Sequence, residues 1–266
     1  RSMSTPLLAL IGIVIASIFW STSGTVSKIL LRSFDPYAIA FFRTALASVF
    51  ILPLFLKTNK RPFIPLLKDT IFVSLAFTAN FFFFFLGISK TTANAAAIIY
   101  VGTPIIAALI GHFFIGERTT LQKWIGIGIG LVGSILILVL PVFETGQKIS
   151  GDLEGNILIG CATLCWALYT VGSRHLSTQN HYSPIVITSV STFVCASIFF
   201  VVVLLSPHQT PIYALAIRWD NILWFSYLAF FVTIVTNYLF QWAIKHSSTM
   251  TATLTHYLQP IFSFIF

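Results

Sequence analysis

The side chains able to hold a solute are few, and they stand at helical spacing inside apolar runs. Arg43 lies about two turns into such a run. Its guanidinium is a planar fork that fits a carboxylate through two parallel hydrogen bonds. The same fork can also serve structurally, by internal pairing or by reaching back to a membrane interface. Thr233, Asn237 and Gln241 recur at i, i+4 and i+8 and form one polar stripe. In apolar surroundings such a stripe must face protein or water. Asn80 is a lone counterpart that fits either an interhelical hydrogen bond or the same cavity. His256 can donate, accept or carry a proton near neutral pH. A buried neutral histidine with an internal partner is the plainer alternative.

Two helical faces carry these groups. Ala97, Tyr100, Pro104, Ala107 and Gly111 make a small-residue face with one phenol, and Thr253, His256, Pro260 and Ser263 make a more polar one. A proline frees a carbonyl one turn back, which can face a cavity. Small residues at this spacing also let helices pack closely. Trp20 shares a stripe with Ala16, Ser23 and Ser27; Trp166 shares one with Ala162, Tyr169 and Ser173. Each Trp lies midway along its run rather than at the interfacial belt, and a buried indole N–H needs a partner. The pair is expected to flank one central cavity.

Other chemistry is missing. No Asp or Glu lies in the middle of an apolar run, which argues against proton-coupled antiport of cationic drugs. No Gly-x-x-x-x-Gly-Lys loop or His-Glu-x-x-His pair is present. Gly126, Gly128, Gly130 and Gly133 fall inside an apolar run with no preceding strand, so they read as helix packing rather than a nucleotide loop. Cys161, Cys165 and Cys195 lie in apolar runs and imply neither a disulfide framework nor a metal pair. No cofactor is expected. Lys28 and Arg174 read as helix-end anchors, and Glu117 as a partner for Arg118 or Lys123.

The elements that position these residues follow from composition. The chain has 266 residues, 57% hydrophobic and 8% charged, with 27 Phe. A soluble domain carries about 25% charged residues. A mean hydropathy of +0.92 makes lipid the solvent for most side chains. This excludes a soluble enzyme, a disordered chain and a nucleic-acid-binding domain. The net charge of +8 then belongs to membrane loops rather than to nucleic acid.

A spanning helix needs about 20 apolar residues. Nine runs qualify: 7–31, 37–56, 67–89, 94–116, 121–140, 155–175, 184–205, 221–244 and 249 onward. They are too uniformly apolar for a barrel's alternation, so an all-α bundle is expected. With the N-terminus cytoplasmic, the inner segments hold Arg1, Lys57, Lys60, Arg61, Lys68, Arg118, Lys123, Arg174 and Lys245 against Asp69 and Glu117. The outer segments balance Lys28, Arg32, Lys90, Lys148 and Arg218 against Asp35, Glu144, Asp152, Glu154 and Asp220. The basic excess inside is what the positive-inside rule asks.

The chain also repeats. The stretch Ala16 to Lys28 aligns with Ala162 to Arg174, matching Ala, Trp and the final cation; Thr92 to Pro104 aligns with Ser248 to Pro260. One half holds five runs, an odd number, so two copies must insert with opposite orientation. That is the inverted repeat of secondary transporters, with the substrate site near the midplane between the halves. By this register a tenth helix is expected beyond residue 266.

The Phe19-Trp20 pair, Arg43-Thr-Ala-Leu-Ala, the Ala-rich run to Pro104, Gly116-Glu117-Arg118, and the Trp166 and Pro260 echoes together resemble the EamA-type, ten-helix branch of the drug/metabolite transporter superfamily. The resemblance spans nearly the whole chain. It implies a small-metabolite transporter, often an exporter of amino acids or related solutes. The expectation is therefore an all-α membrane protein built from two five-helix units, 3–141 and 152–266, with about nine of ten spans present. It is a multi-pass protein of a prokaryotic inner membrane, moving a small metabolite such as an amino acid, zwitterion or anion by alternating access, with export as the direction. The alternatives are a multidrug exporter of lipophilic compounds and a non-transporting membrane scaffold. Substrate contacts are expected at Trp20, Arg43, Asn80, Tyr100, Trp166, Tyr169, Asn237, Gln241 and His256. Partners are the solute and the lipid bilayer, not nucleic acid; a coupling ion or proton and a homodimer stay open.

Overall fold

A computed structural model describes residues 5–117, 120–145, 152–206 and 219–263. Arg1, Arg118, Lys148 and Arg218, which enter the charge balance, lie outside the described residues, as do residues 3 and 264–266 at the ends of the two units.

The described elements are all helices. They are α1 (Thr5–Leu30), α2 (Pro36–Thr58), α3 (Phe63–Lys90), α4 (Ala93–Tyr100), α5 (Thr103–Ile115), α6 (Leu121–Thr145), α7 (Leu153–Thr178), α8 (Pro184–Leu205), α9 (Trp219–Ala229), α10 (Thr236–His246), α11 (Thr249–Thr253) and α12 (Thr255–Ser263). A π-helical turn, Phe230–Val235, joins α9 to α10. Seven apolar segments are long enough to cross a membrane, with α4–α5 counted as one and α9–α10 as another. The helix α6 adds 25 residues. Phe50, Leu54, Phe113, Phe114, Ile129 and Leu205 lie exposed on the outside, where lipid rather than water is their solvent.

Matching caps start matching helices in the two halves. Asp35 Oδ1 accepts from the amides of Tyr37 and Ala38 ahead of α2, and Ser183 Oγ accepts from Val186 ahead of α8. Pro36 and Pro184 follow directly, where a missing N–H costs nothing. Thr92 caps α4 through Ala95, and Ser248 caps α11 through Thr251. Packing repeats in the same way. Helix α3 lies along α7 as α1 lies along α10; α3 meets α8 as α9 meets α2; α7 meets α5 as α1 meets α12; and α2 packs on its own counterpart α8. Exchanging the halves leaves this pattern intact, as an inverted repeat requires.

Glycine sets the closest approach. A Cβ on Gly155 would lie 2.9 Å from the Thr91 amide nitrogen, and one on Gly87 would lie 2.7 Å from the tip of Ile159. These two positions let α3 and α7 meet backbone to backbone. In α6 only Gly130 is used this way, against the Tyr257 ring; nothing described lies within 4 Å of a Cβ at Gly126, Gly128 or Gly133. Among the described residues, the packing expected along the glycine run is seen at Gly130.

Three runs expected to be continuous are broken. Val101–Gly102 separates α4 from α5, Leu254 separates α11 from α12, and the π turn interrupts the run 221–244. The break after Tyr100 is repaired locally: Pro104 cannot donate to the Tyr100 carbonyl, and Thr103 Oγ1 donates there instead, at 2.6 Å. Irregular backbone at membrane depth persists where it faces protein or a cavity. Here the breaks surround one cavity.

Candidate functional site

A cavity of about 290 Å³ lies among α1, α2, α3, α4, α7, α10 and α12. Its deep end is aromatic. Trp20 and Trp166 meet edge to face, with centroids 5.4 Å apart. Phe240 closes beneath both, 5.3 Å from each ring. The His256 ring lies parallel to Trp20 at 6.5 Å and tilts against Tyr100 at 5.6 Å. The wall continues through Phe81, Phe84 and Phe85 to Ile88, and the cavity reaches exposed Thr25 and Ala93 on the face that carries the α3–α4 turn.

Four wall atoms lack a hydrogen-bond partner among the described residues: Trp166 Nε1, Asn237 Oδ1 and both ring nitrogens of His256. A buried polar atom without a partner costs about 1–3 kcal/mol. A solute or cavity water at the deep end can supply that partner. The first-half counterparts of Trp166 and His256, which are Trp20 and Tyr100, are already satisfied. Trp20 Nε1 donates to the Val232 carbonyl at 3.2 Å, and Asn80 Nδ2 donates to Tyr100 Oη at 2.7 Å and to the Ala162 carbonyl at 2.8 Å.

Arg43 forms the cationic side. Its Nε donates to Thr233 Oγ1 at 2.8 Å, Nη1 to Ser23 Oγ at 3.3 Å and Nη2 to the Val232 carbonyl at 3.2 Å. The guanidinium also sits 5.0 Å from the centre of the Phe81 ring. The side chain is buried, yet every partner among the described residues is neutral, and none of them in the cavity wall is an Asp or Glu. The charge of this cleft is therefore uncompensated by the described residues, a condition that favours an anionic group in the cavity.

The π turn explains how these partners arise. It removes the Val232 carbonyl from the regular ladder, and Trp20, Arg43 and Thr236 Oγ1 all donate to it. Thr233 Oγ1 bonds back to the Leu228 carbonyl, five residues earlier. A local widening thus turns one backbone carbonyl into a junction of α1, α2 and α10.

Seven of the nine sequence-expected site residues line the cavity: Trp20, Arg43, Asn80, Tyr100, Trp166, Asn237 and His256. Tyr169 and Gln241 do not; both are fully buried beneath the aromatic floor. Along the stripe, Thr233 in the π turn serves Arg43, Asn237 reaches the cavity, and Gln241, one turn further along α10, donates to Ser173 at 2.9 Å. Sequence reasoning also missed Phe81, Phe84, Phe85, Asn94 and Gln259 in the wall. The Phe run gave no signal beyond apolarity, whereas Gln259 stands next to the conspicuous Pro260.

The helix-end charges have definite partners. Glu117 accepts from the Thr249 amide and hydroxyl, clasping the end of α5 to the start of α11; of its two expected partners, Arg118 and Lys123, the first lies outside the described residues. Arg174 donates to the Ile244 and Lys245 carbonyls at the end of α10. Lys28 reaches the Thr91 carbonyl at 3.4 Å.

Comparison with known proteins follows the same outline. A model of the EamA-like transporter family matches residues 7–139 and 153–266. A protein of Clostridium kluyveri named an uncharacterized transporter is 25% identical over 259 residues, covering 93% of this chain and 80% of that protein. The uncharacterized transporter YyaM of Bacillus subtilis is 24% identical over 254 residues, covering 94% and 81%. One crystal structure superposes with a TM-score of 0.71 at 16% identity, covering 97% of this chain and 86% of that one; at that identity the likeness speaks for the fold.

Proposed function

The chain belongs to the EamA-like transporter family, and from that premise we propose that it moves an amino acid or a related zwitterion or anion across the membrane by alternating access, with export as the net direction. The observation that carries this reading is Arg43, a buried cation in the cavity wall with no acidic partner there among the described residues. The cavity volume of about 290 Å³ suits a small metabolite. Arg43 would hold the carboxylate, Asn237, His256 and Trp166 would meet polar groups at the deep end, and the aromatic floor would bound the solute's body. Tyr100 and Asn80 hold one another in place at the side. The chain would act as a transporter rather than an enzyme.

The basic face, with Lys57, Lys60, Arg61 and Lys68 exposed on the α2–α3 side, would be cytoplasmic, in a prokaryotic inner membrane. The cavity would then open outward in this conformation. A second reading, export of lipophilic compounds, draws on Phe81, Phe84 and Phe85 in the wall. Uptake by the purified protein in liposomes, across a panel of zwitterions, anions and lipophilic solutes, separates the two. A scaffold would move none of them.

A further inference from the structure

Beneath the cavity floor a second line of polar groups runs through the protein. Tyr169, Ser173 and Ser177 follow Trp166 down one face of α7, and Gln241 follows Asn237 down α10. All four are buried. Gln241 Nε2 donates to Ser173 Oγ at 2.9 Å. Among the described residues, Tyr169 Oη, Gln241 Oε1 and Ser177 Oγ have no partner in hydrogen-bond geometry, although Gln241, Ser173 and Ser191 surround the Tyr169 hydroxyl. Tight packing against lipid-soluble neighbours gives no reason to keep three such atoms in a row.

We infer that this seam between α7 and α10 is the closed half of the substrate route, and that Arg174 is the latch across its mouth. The inference rests on the alternating-access reading above. Exchanging the halves maps Trp166 onto Trp20, Arg174 onto Lys28, and the α7–α10 seam onto the space between α1 and α3. On that side the cavity itself separates the two helices, with Ser23 and Thr25 facing Phe84 and Ile88 across it. The two copies of one structural unit thus stand in opposite states, one parted and one shut. The latches differ accordingly. Arg174 spans two carbonyls at the end of α10, while Lys28 reaches a single carbonyl at 3.4 Å. The Arg174 clasp lies one turn below Ser173 and level with Ser177, where the seam meets the basic face. In the opposite state Arg174 releases α10, the seam opens, and Tyr169, Ser173, Ser177 and Gln241 become the wall along which solute leaves.

The test uses the full chain with Cys161, Cys165 and Cys195 replaced by Ala, reconstituted in liposomes, and a charged methanethiosulfonate reagent on both sides. Three single-cysteine variants are compared, Ser177→Cys in the seam, Thr25→Cys at the open mouth and Ala47→Cys in the α2–α8 contact. With Arg174 intact, Thr25→Cys should react quickly and the other two slowly. Adding Arg174→Ala should speed reaction at Ser177→Cys about tenfold, the shift expected from losing a charge-assisted clasp, and leave Ala47→Cys unreactive. Arg174→Lys, which keeps the charge without the fork, serves if the alanine variant fails to fold; it should give a smaller rise of the same sign. An unchanged rate at Ser177→Cys while Thr25→Cys still reacts, or an equal rise at Ala47→Cys, overturns the latch. Solute uptake is measured in parallel. Uptake without opening of the seam defeats this inference and leaves the transport reading standing. Opening without uptake supports the seam and defeats the transport reading.

Discussion

Tyr100 and His256 occupy equivalent positions in the two halves, and their rings meet 5.6 Å apart. Trp20 and Trp166 are equivalent too, and they also touch. A residue meets its own counterpart only near the symmetry axis, so the axis of the inverted repeat passes through the cavity floor. Within each pair, among the described residues, the first-half residue is hydrogen-bonded and the second-half residue is not. The floor therefore presents the free polar groups of one half to a cation supplied by the other.

This asymmetry separates two tryptophans that look alike in sequence. Trp20→Phe removes a hydrogen bond to the Val232 carbonyl and should lower stability by about 1 kcal/mol. Trp166→Phe removes no such bond. It should lower the thermal midpoint less than Trp20→Phe, since both trim a packed ring but only Trp20 loses a bond, and it should reduce the fluorescence change on substrate binding. Equal loss of stability in both variants would contradict the assignment.

Arg43→Lys tests the fork. The three acceptors on Arg43 point in different directions, and a lysine ammonium cannot span Thr233, Ser23 and Val232 together. Carboxylate uptake should fall about tenfold or more, with a smaller effect on uncharged lipophilic solutes. Undiminished carboxylate uptake by well-folded protein would assign Arg43 a purely structural role.

Glycine substitutions probe the packing of the halves. Gly155→Ala meets backbone at 2.9 Å, while Gly87→Ala meets first the movable end of Ile159 and then the Gly155 carbonyl at 3.1 Å, so the first should destabilise more. Gly126→Ala meets nothing and should be neutral or stabilise by about 0.5–1 kcal/mol through lower chain entropy. Melting temperatures in detergent read the order directly; a Gly126→Ala loss exceeding that of Gly155→Ala would refute it.

Orientation follows from charge. Gly151, between α6 and α7 and outside the described residues, should react as Gly151→Cys with an impermeant reagent from the external side. Asn59→Cys, on the α2–α3 turn, should react only from the internal side. The reverse pattern would invert the topology.

The repeat was legible because it is written in residues that helices place without ambiguity. Trp20 with Trp166, Pro104 with Pro260, and the caps before α2 and α8 all keep their register. Seven wall residues could be named for the same reason. Tyr169 and Gln241 share the helical faces of Trp166 and Asn237 but lie about one turn further along, beneath the ring packing of Trp20, Trp166 and Phe240 that ends the cavity, and no spacing within one helix reveals that depth. The π turn, too, inserts a residue into the helical count of its run. No periodicity marks that insertion; its cause is tertiary, since the Val232 carbonyl it frees is used by Trp20 and Arg43 on other helices. The break at Leu254 likewise lies about a turn away from where the Pro104 pattern would put it.

The central claim is that the cavity beside Arg43 is a carboxylate site on a transport route. Its most direct test is uptake of radiolabelled zwitterionic and anionic metabolites into liposomes holding the purified protein, with Arg43→Lys alongside. The account predicts saturable uptake of at least one carboxylate-bearing solute, competed by its own kind and strongly reduced in the variant. Saturable uptake confined to uncharged lipophilic compounds, or no uptake of any solute by folded protein, would contradict it.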